Sequence, residues 1–212
     1  MARPVTIDVD DLFRAAMSAG AADETTNRIL DAAGEVFVER GIRRSSVEMI
    51  AERSGVGRTT VYRRFENRQQ IVQAVLGREC HRFFGSILSA TSGEQHLEDR
   101  VIEGLLMGLH AADTSVLSEL LRTEPELLRL LTVDGEAVVA TATMVLVAFF
   151  GPVAEEEDRR RVAAVAELLV RLSISWVLTP STAMPLADDA ESRRSLHSLL
   201  DPVLVPLADL RG

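Results

Sequence analysis

The sequence predicts an all-helical protein in which a small N-terminal module of three helices precedes a larger helical domain. Three observations lead to this fold class. The composition is rich in alanine, leucine, glutamate and arginine, which favour helices, and poor in aromatic residues. Apolar residues recur at helical spacing, and no long run alternates with a period of two. Glycines and prolines stand where the helical periodicity breaks.

The first clear helix is predicted over about residues 25–40, after an extension of mixed composition over residues 1–22. Its apolar stripe consists of Ile29, Ala33, Val36 and Phe37. Gly41 follows directly and is expected to end the helix.

Two short helices joined by a tight turn are predicted between residues 46 and 68. The apolar face of the first consists of Val47, Ile50 and Ala51. Ser46 precedes this face, where its hydroxyl can cap the first free amides of the helix. The Ser54-Gly55 pair then interrupts the periodicity, because glycine accepts the left-handed backbone that ends a helix.

The second short helix presents two faces of different chemistry. Its apolar face consists of Val56, Val61 and Phe65. Its outward face consists of Arg58, Thr59, Thr60, Tyr62, Arg63 and Arg64. Guanidinium groups pair with guanine edges or phosphates, and hydroxyls reach phosphate oxygens, so this face suits a DNA major groove. The pattern predicts a helix-turn-helix, which is a DNA-binding motif.

The distribution of charge favours DNA binding although the net charge of the chain is −9. Residues 40–70 contain eight arginines and three glutamates, so their net charge is +5 and that of the other residues is −14. An acidic body with one basic patch directs DNA towards that patch.

A fourth helix is predicted to start near Arg68 and to join the small module directly to the rest of the chain. Further helical segments are expected at about residues 95–112, 115–122, 125–131, 135–150, 155–178 and 190–210. Pro202 and Pro206 are expected to kink or end the last of them. Residues 137–154 carry no charge, but their small and polar members favour a buried core helix over a membrane span.

Residues 55–68, with the sequence GVGRTTVYRRFENR, resemble the signature of the tetracycline-repressor (TetR) family of bacterial transcription regulators. The order of helix, helix-turn-helix and long connecting helix is similar to that family as well. The matching positions are Ala51, Gly55, Val56, Arg58, Thr60, Val61, Tyr62, Phe65 and Ile71. Three positions depart from the usual pattern: Gly57 replaces a capping serine, Arg64 replaces a histidine or tyrosine, and Arg68 replaces a lysine.

This resemblance implies an extension over residues 1–22, a DNA-binding domain over 23–68, and an effector-binding and dimerisation domain over 69–212. It also implies a ligand-responsive regulator, most often a repressor, that binds a palindromic operator as a homodimer and is released by a small effector. The residues expected to contact DNA, with Arg68 on a phosphate, are Ser45, Ser46, Arg58, Thr59, Thr60, Tyr62, Arg63, Arg64 and Arg68.

The last two long helices of TetR proteins pair with those of a second subunit, and two apolar stripes fit this role here. Some of each stripe must close the core of the monomer itself. The first stripe consists of Val162, Val165, Leu168, Leu169, Leu172 and Trp176. The second consists of Leu196, Leu199, Leu200, Val203, Leu204 and Leu207. A two-fold dimer would let paired recognition helices read an inverted repeat.

The residues expected to surround an effector lie between about 83 and 150, and ordinary core packing would explain each of them equally well. They are Phe83, Phe84, Leu88, Leu105, Met107, His110, Leu117, Leu121, Arg122, Met144, Phe149 and Phe150. Flexible methionines and flat phenylalanines favour a lipid-like, acyl or polyketide-like ligand over a sugar. His110 and Arg122 could anchor a carboxylate or a thioester carbonyl.

No catalytic constellation is recognisable, so an enzyme is not expected, and neither a cofactor nor a metal is predicted. The four histidines, at positions 81, 96, 110 and 197, lack metal-binding spacing, and there is no glycine-rich phosphate loop or GxSxG motif. The single Cys80 and the absence of an early apolar block fit a reducing cytoplasm. Two alternatives stay open: a constitutive DNA-binding regulator without an effector, and an enzyme whose DNA-like module is incidental.

Overall fold

The computed structural model describes residues 22–93, 96–150, 155–179 and 190–208, and within these ranges the regular structure is helical without β-strands. The prediction of an all-helical fold is confirmed. The helices are α1 (Glu24–Arg40), α2 (Val47–Ser54), α3 (Arg58–Arg64), α4 (Arg68–Thr91), α5 (Leu97–Thr114), α6 (Val116–Thr123), α7 (Pro125–Leu131), α8 (Glu136–Phe150), α9 (Glu156–Leu178) and α10 (Ala190–Ala208), with a short 3-10 turn at Ile42–Arg44.

The chain divides into two compact units, and each combines segments that are distant in sequence. The first unit comprises Met1–Arg82 and Thr114–Thr132, and the second comprises Phe83–Asp113 and Val133–Gly212. Helix α4 therefore belongs to both units. The predicted boundary at residue 68 coincides with the start of α4, whereas the first compact unit runs on to residue 82 and takes in α6 and α7.

The core of the first unit is one apolar cluster to which α1–α4, α6 and α7 contribute. Its members are Ile29, Leu30, Ala33, Val36, Phe37, Ile42, Val47, Ile50, Ala51, Val56, Val61, Phe65, Ile71, Val72, Val75, Leu76, Leu120 and Leu127. Leu120 and Leu127 come from the α6–α7 hairpin and are buried. A side chain at Gly34 of α1 would meet Val116 of α6 at 3.7 Å, so these two helices pack closely.

The helix ends of the first unit follow the predicted capping pattern. The carboxylate of Asp23 accepts the Thr26 N–H at the start of α1, and the Ser46 hydroxyl accepts the Met49 N–H at the start of α2. Helix α2 ends at Gly55, whose φ of 65° is left-handed. Gly57 occupies the cap position of α3 and offers no side chain to its free amides.

The second unit is built from the end of α4 with α5, α8, α9 and α10. Its buried cluster consists of Leu97, Val101, Ile102, Leu105, Leu106, Phe150, Val162, Ala166, Leu169, Leu196, Leu200, Leu204 and Leu207. Gly104 and Gly108 on α5 allow close packing of α4, because a Cβ at Gly108 would lie 3.3 Å from Ile87 and 3.5 Å from Phe83. No helix of the described ranges is long and apolar enough to cross a membrane.

Helix α8 is less buried in the single chain than the sequence predicted. Val139 and Phe150 are buried, whereas the Met144 side chain is 71% exposed. Leu146 and Val147 pack against the cluster of the second unit. The uncharged sequence indicated burial on all sides, but the chain itself covers only part of this helix.

Pro202 and Pro206, expected to kink or end the last helix, do not end it, because α10 continues through both prolines to Ala208. A proline inside a helix removes one N–H donor and crowds the carbonyl four residues earlier. The buried side chains of Leu204 and Leu207 favour continuation of the helix past Pro202.

We expect Gly55→Ala to lower the free energy of unfolding by about 1–2 kcal/mol, because a Cβ is crowded in the left-handed conformation. Gly57→Ala is the matched control, since its φ is −58° and a Cβ there meets nothing within 4 Å. Urea denaturation followed by circular dichroism, at one protein concentration, measures both. Equal midpoints for the two variants would contradict the assigned turn.

Candidate nucleic-acid interface

The seven residues of α3 are held by burial of one face, and this burial determines which side chains point outward. Val61 is fully buried, and Phe65, which follows the helix, is nearly so. The outward side chains are Arg58, Thr59, Tyr62, Arg63 and Arg64, with Thr60 half-buried beside them. A helix this short is unstable alone, so its orientation depends on these apolar contacts. The side-chain orientations predicted for this helix therefore agree with the structure.

Four of these exposed side chains form a polar surface of the kind that reads duplex DNA. Tyr62 is 47% exposed, and Arg58, Thr59 and Arg63 are exposed as well. Within the described parts of the chain, no ion pair engages the guanidinium of Arg63. Such donors can reach phosphate oxygens and base edges in the major groove.

Glu48 of α2 adjoins this surface and was not identified from the sequence as a site residue. The pKa of its carboxyl is lowered, first by its own backbone N–H and then by the Ser46 hydroxyl. The charge of Arg58 and the Tyr62 hydroxyl contribute in the same direction. An acidic residue in the first turn of the helix before the recognition helix is the signal that could have identified it.

Arg64 contacts the start of α1 instead of extending freely into solvent. Its Nη1 donates to Asp23 Oδ2 at 2.5 Å and to Thr26 Oγ1 at 2.8 Å. The pKa of the Asp23 carboxyl is lowered, first by the Thr26 N–H and then by the Arg64 guanidinium. The end of α3 is thereby joined to the capped start of α1.

Ser45 and Arg68, both expected at DNA, face the backbone of the protein itself. Ser45 is 4% exposed, and its hydroxyl donates to the Gly41 carbonyl at 2.7 Å. The Nη1 of Arg68 donates to the carbonyls of Ile42, Arg43 and Ser45 at 2.9, 3.0 and 3.1 Å. Several carbonyls converge at the end of the 3-10 turn and explain this placement, because a guanidinium satisfies several acceptors at once.

The basic surplus of residues 40–70 is partly neutralised by acidic neighbours. Arg53 pairs with Glu39 at 2.6 Å and with Glu35 at 2.9 Å, and these carboxylates raise the pKa of the Arg53 guanidinium. Arg43 is paired with Glu126 of α7. A count of charges along the sequence could not show which arginines have partners, because these acids lie outside the counted segment.

The residues predicted to surround an effector are divided between the two units. Leu117 and Leu121 pack against the cluster of the first unit, and Arg122 on the same helix pairs with Glu119 at 3.2 Å. In the second unit, Leu105 and Phe150 belong to the buried cluster.

The other residues predicted for the effector differ in their exposure. Phe83 and Phe84 make an edge-to-face pair with ring centroids 5.4 Å apart. Met107 is half-buried, whereas Leu88, His110 and Met144 are exposed. The side chain of Phe149 lies outside the described part of the structure.

Two buried polar atoms of the described second unit, Glu98 Oε2 and Thr143 Oγ1, make no hydrogen bond. Neither residue was identified from the sequence, because no local pattern reports whether a buried polar atom finds a partner. A buried polar group without a partner is costly, so each is a point at which a ligand or water could bind.

The predicted dimer residues separate into an inward and an outward set. Leu169, Leu196 and Leu200 are buried in the cluster of the second unit, and Val165 and Trp176 pack against it. Leu172 is half-buried and Val203 is exposed. Leu168 and Leu199, which belong to the same predicted stripes, are 51% and 58% exposed.

Other titratable groups bear on whether the chain holds a metal or a reactive centre. The described residues contain no group of three histidine, cysteine or acidic side chains that could hold a metal ion. His197 lies between two carboxylates, with Nε2 3.3 Å from Asp99 and Nδ1 3.1 Å from Asp201. Burial raises the pKa of the Cys80 thiol to about 11, which keeps the sulfur protonated and poorly nucleophilic near neutral pH.

Comparison with known proteins identifies two matching family models. Residues 29–75 match the bacterial regulatory proteins of the tetR family, and residues 99–202 match the bacterial tetracyclin repressor C-terminal domain. The matched segments include the helix-turn-helix and most of the second unit. Together they extend over more than half of the chain.

Two relatives from Pseudomonas putida match part of the chain. The HTH-type transcriptional regulator SrpR is 34% identical over 104 residues, which are 49% of this chain and 48% of SrpR. TtgW, an uncharacterized HTH-type transcriptional regulator, is 34% identical over 104 residues, covering 49% of this chain and 77% of TtgW. The match thus spans about half of the length of SrpR.

A solved structure extends the likeness to the fold of nearly the whole chain. The TetR family repressor AlkX from a Dietzia species has a TM-score of 0.57 and 22% identity, over 86% of this chain and 97% of AlkX. The relatives are regulators of transcription and not enzymes. The helix-turn-helix geometry, the two family models and the Pseudomonas relatives lead to one conclusion: the chain belongs to the TetR family of bacterial transcription regulators.

Proposed function

We propose that this regulator binds a palindromic operator as a homodimer, acts as a repressor in the cytoplasm, and is released by a small, mostly apolar effector. The observation that carries the DNA-binding part is the outward face of α3 over the buried Val61 and Phe65. We assign base and phosphate contact to Arg58, Thr59, Tyr62 and Arg63 of this face. Thr60 and Ser46 lie beside them, and we assign them additional contacts to the DNA backbone.

Ser45, Arg64 and Arg68 are assigned a positioning role in this proposal. Their polar groups already satisfy backbone or carboxylate partners within the first unit. Moving Arg68 to a phosphate would leave carbonyls at the end of the 3-10 turn without this donor. We therefore propose that they fix the orientation of the outward face of α3, which we call the reading surface and whose side chains make the main contacts with DNA. The reading surface consists of Arg58, Thr59, Tyr62 and Arg63.

The homodimer is supported by apolar side chains that the single chain leaves exposed on α9 and α10. Leu168 on α9 is exposed, as are Leu199 and Val203 on α10. Leu199 and Val203 are four residues apart and so share one helix face. Contact with a second copy would bury these side chains, and an isologous pair would present two recognition helices to an inverted repeat.

The effector is proposed to bind in the second unit, at the incompletely covered helix α8. This helix is uncharged from residue 137 to its end and leaves apolar side chains such as Met144 accessible. The unpaired Thr143 hydroxyl supplies one polar group that a ligand could satisfy. An apolar surface with one hydroxyl supports a lipid-like or acyl ligand over a sugar.

A constitutive DNA-binding regulator without an effector is the second candidate function. It is favoured by the side chains of the predicted pocket that belong to packed clusters, such as Leu105, Phe150 and Leu121. Effector binding distinguishes the two functions.

We expect Arg63→Ala to weaken operator binding by about 1–3 kcal/mol if the guanidinium reads a base, or to lower the salt slope by about one if it neutralises a phosphate. The operator is first isolated by selecting purified protein against random duplexes, and affinities are then measured by fluorescence anisotropy over a salt series. Arg160→Ala is the control, because Arg160 is exposed in the second unit and pairs with Glu156. Equal affinities and slopes for Arg63→Ala and the unsubstituted protein would overturn the assignment.

We expect Leu199→Glu to convert the dimer into a monomer, because it would place a charge in the proposed apolar contact. Sedimentation velocity over a range of protein concentrations measures the change. Met144→Glu serves as the control, since Met144 is also exposed but lies on α8. If Leu199→Glu sediments as the unsubstituted protein does, the contact surface is elsewhere.

We expect Thr143→Val to weaken effector binding about tenfold while changing the melting temperature little, because valine keeps the shape and removes the hydroxyl. Saturated fatty acids and their coenzyme A thioesters are the probes, and the rise in melting temperature with ligand concentration gives the affinity. Val133→Ala is the control, because Val133 is an exposed residue of the second unit that belongs to no predicted site. Absence of any ligand-dependent shift in the unsubstituted protein would favour the constitutive regulator.

A further inference from the structure

The 3-10 turn before the helix-turn-helix is held at its first amide by a residue from the other half of the sequence. The Oε1 of Glu124 accepts the Ile42 N–H at 2.5 Å, across 82 positions of the chain. Glu124 is 7% exposed, and its carboxylate lies close to the backbone, since a Cβ on Gly41 would come within 3.1 Å of Oε1. Gly41 has φ of 80°, so glycine is favoured here by both conformation and space.

Opposite charges therefore occupy the two ends of this turn. At the start of the turn, the Glu124 carboxylate accepts the Ile42 N–H. At its end, the Arg68 guanidinium donates to the carbonyls of Ile42, Arg43 and Ser45. A carboxylate at the N-terminus and a guanidinium at the C-terminus both complement the dipoles of a helical turn. Hydrogen bonds to charged groups are stronger than neutral ones, and burial strengthens them further.

The turn leads directly into the helices that read DNA. At the end of the turn, the Ser45 hydroxyl donates to the Gly41 carbonyl. The next residue, Ser46, caps α2 by accepting the Met49 N–H. A displacement at Ile42 would therefore change the start of α2 and, through the tight turn at Gly55, the direction of α3.

Glu124 itself is fixed by its place between two helices. Its N–H donates to the Leu120 carbonyl at the end of α6, and its carbonyl accepts the Leu127 N–H at the start of α7. Leu120 and Leu127 are buried in the same cluster as Ile42. The carboxylate is thus carried by an anchored hairpin, and its position is defined independently of the turn that it holds.

We infer that Glu124 is a positioning residue for DNA recognition, which acts by clamping the Ile42 amide and thereby orients α2 and α3. The α6–α7 hairpin is then part of the DNA-reading apparatus, although it lies outside the segment that carries the helix-turn-helix. The inference needs only that the chain binds DNA. It does not depend on the dimer or on the effector.

The test compares Glu124→Ala with Glu124→Gln, whose amide oxygen can still accept the Ile42 N–H. We expect Glu124→Ala to weaken binding to the selected operator ten- to a hundredfold. Glu124→Gln should retain most of the operator affinity that Glu124→Ala loses. Binding to a random duplex should stay within about twofold for both, with the same salt slope, because Arg58 and Arg63 remain in place. All measurements are made at a temperature at which circular dichroism shows each variant fully folded.

Glu119→Ala is the matched control, because Glu119 is a half-buried residue of α6 and its carboxylate pairs with Arg122. Hydrogen exchange followed by mass spectrometry adds a readout that requires no operator. Peptides covering residues 42–54 should exchange faster in Glu124→Ala than in the control, while those covering residues 70–76 should be unchanged.

Unaltered operator affinity of folded Glu124→Ala, or an equal loss towards operator and random duplex, would overturn the inference. Unaltered exchange over residues 42–54 in Glu124→Ala would overturn it as well. If Glu124→Ala does not fold, Glu124→Asp takes its place with the same expected and contradicting outcomes, because its shorter side chain withdraws the carboxylate from the Ile42 N–H. If the unsubstituted protein selects no preferred duplex, the proposed palindromic operator fails, and the exchange experiment still tests whether Glu124 holds the 3-10 turn and α2 in place.

Discussion

Burial of one face of α3 is the constraint on which the reading surface depends. Seven residues are too few to form a stable helix in water, so α3 exists because Val61 and Phe65 enter the core of the first unit. That burial leaves Arg58, Tyr62 and Arg63 outside, where solvent now hydrates their polar groups and DNA can replace it. The chemistry of recognition is therefore a consequence of apolar packing on the opposite side of the same helix.

Arginine serves two purposes in this unit, and only the structure separates them. Arg63 extends outward, whereas Arg68 binds three carbonyls and Arg64 binds the cap of α1. The same guanidinium group suits both tasks because it donates in several directions from one plane. Arg64 and Arg68, which bind groups of the protein itself, hold the geometry in which Arg63 can contact DNA.

The fold was largely predictable because its signals are local. The stripe at Ile29, the cap at Ser46 and the break at Gly55 each act within a few residues, and the observed helices begin and end near the positions expected. Helix α10 shows where local reasoning fails: Pro202 opposes a helix, but burial of Leu204 and Leu207 favours one. Tertiary packing outweighed the local preference there.

The candidate site was predictable in its outline but not in its partners. Helical periodicity placed Tyr62 and Arg63 outward. It could not show that Arg68 faces the 3-10 turn or that Glu124 receives the Ile42 amide, because these contacts join residues 23–26 and 82 positions apart. Long-range hydrogen bonds leave no periodic trace in a sequence.

Each compact unit is built from two separate segments of the chain, and this limits where the chain could be cut or recombined. A fragment ending within α4 would keep the whole helix-turn-helix yet lack Leu120 and Leu127, and so would expose part of its apolar interior to water. A chimera that joins the helix-turn-helix of this chain to the ligand-binding domain of another protein would have to include residues 114–132 as well. Modularity in this protein follows three-dimensional packing rather than the linear order of the polypeptide.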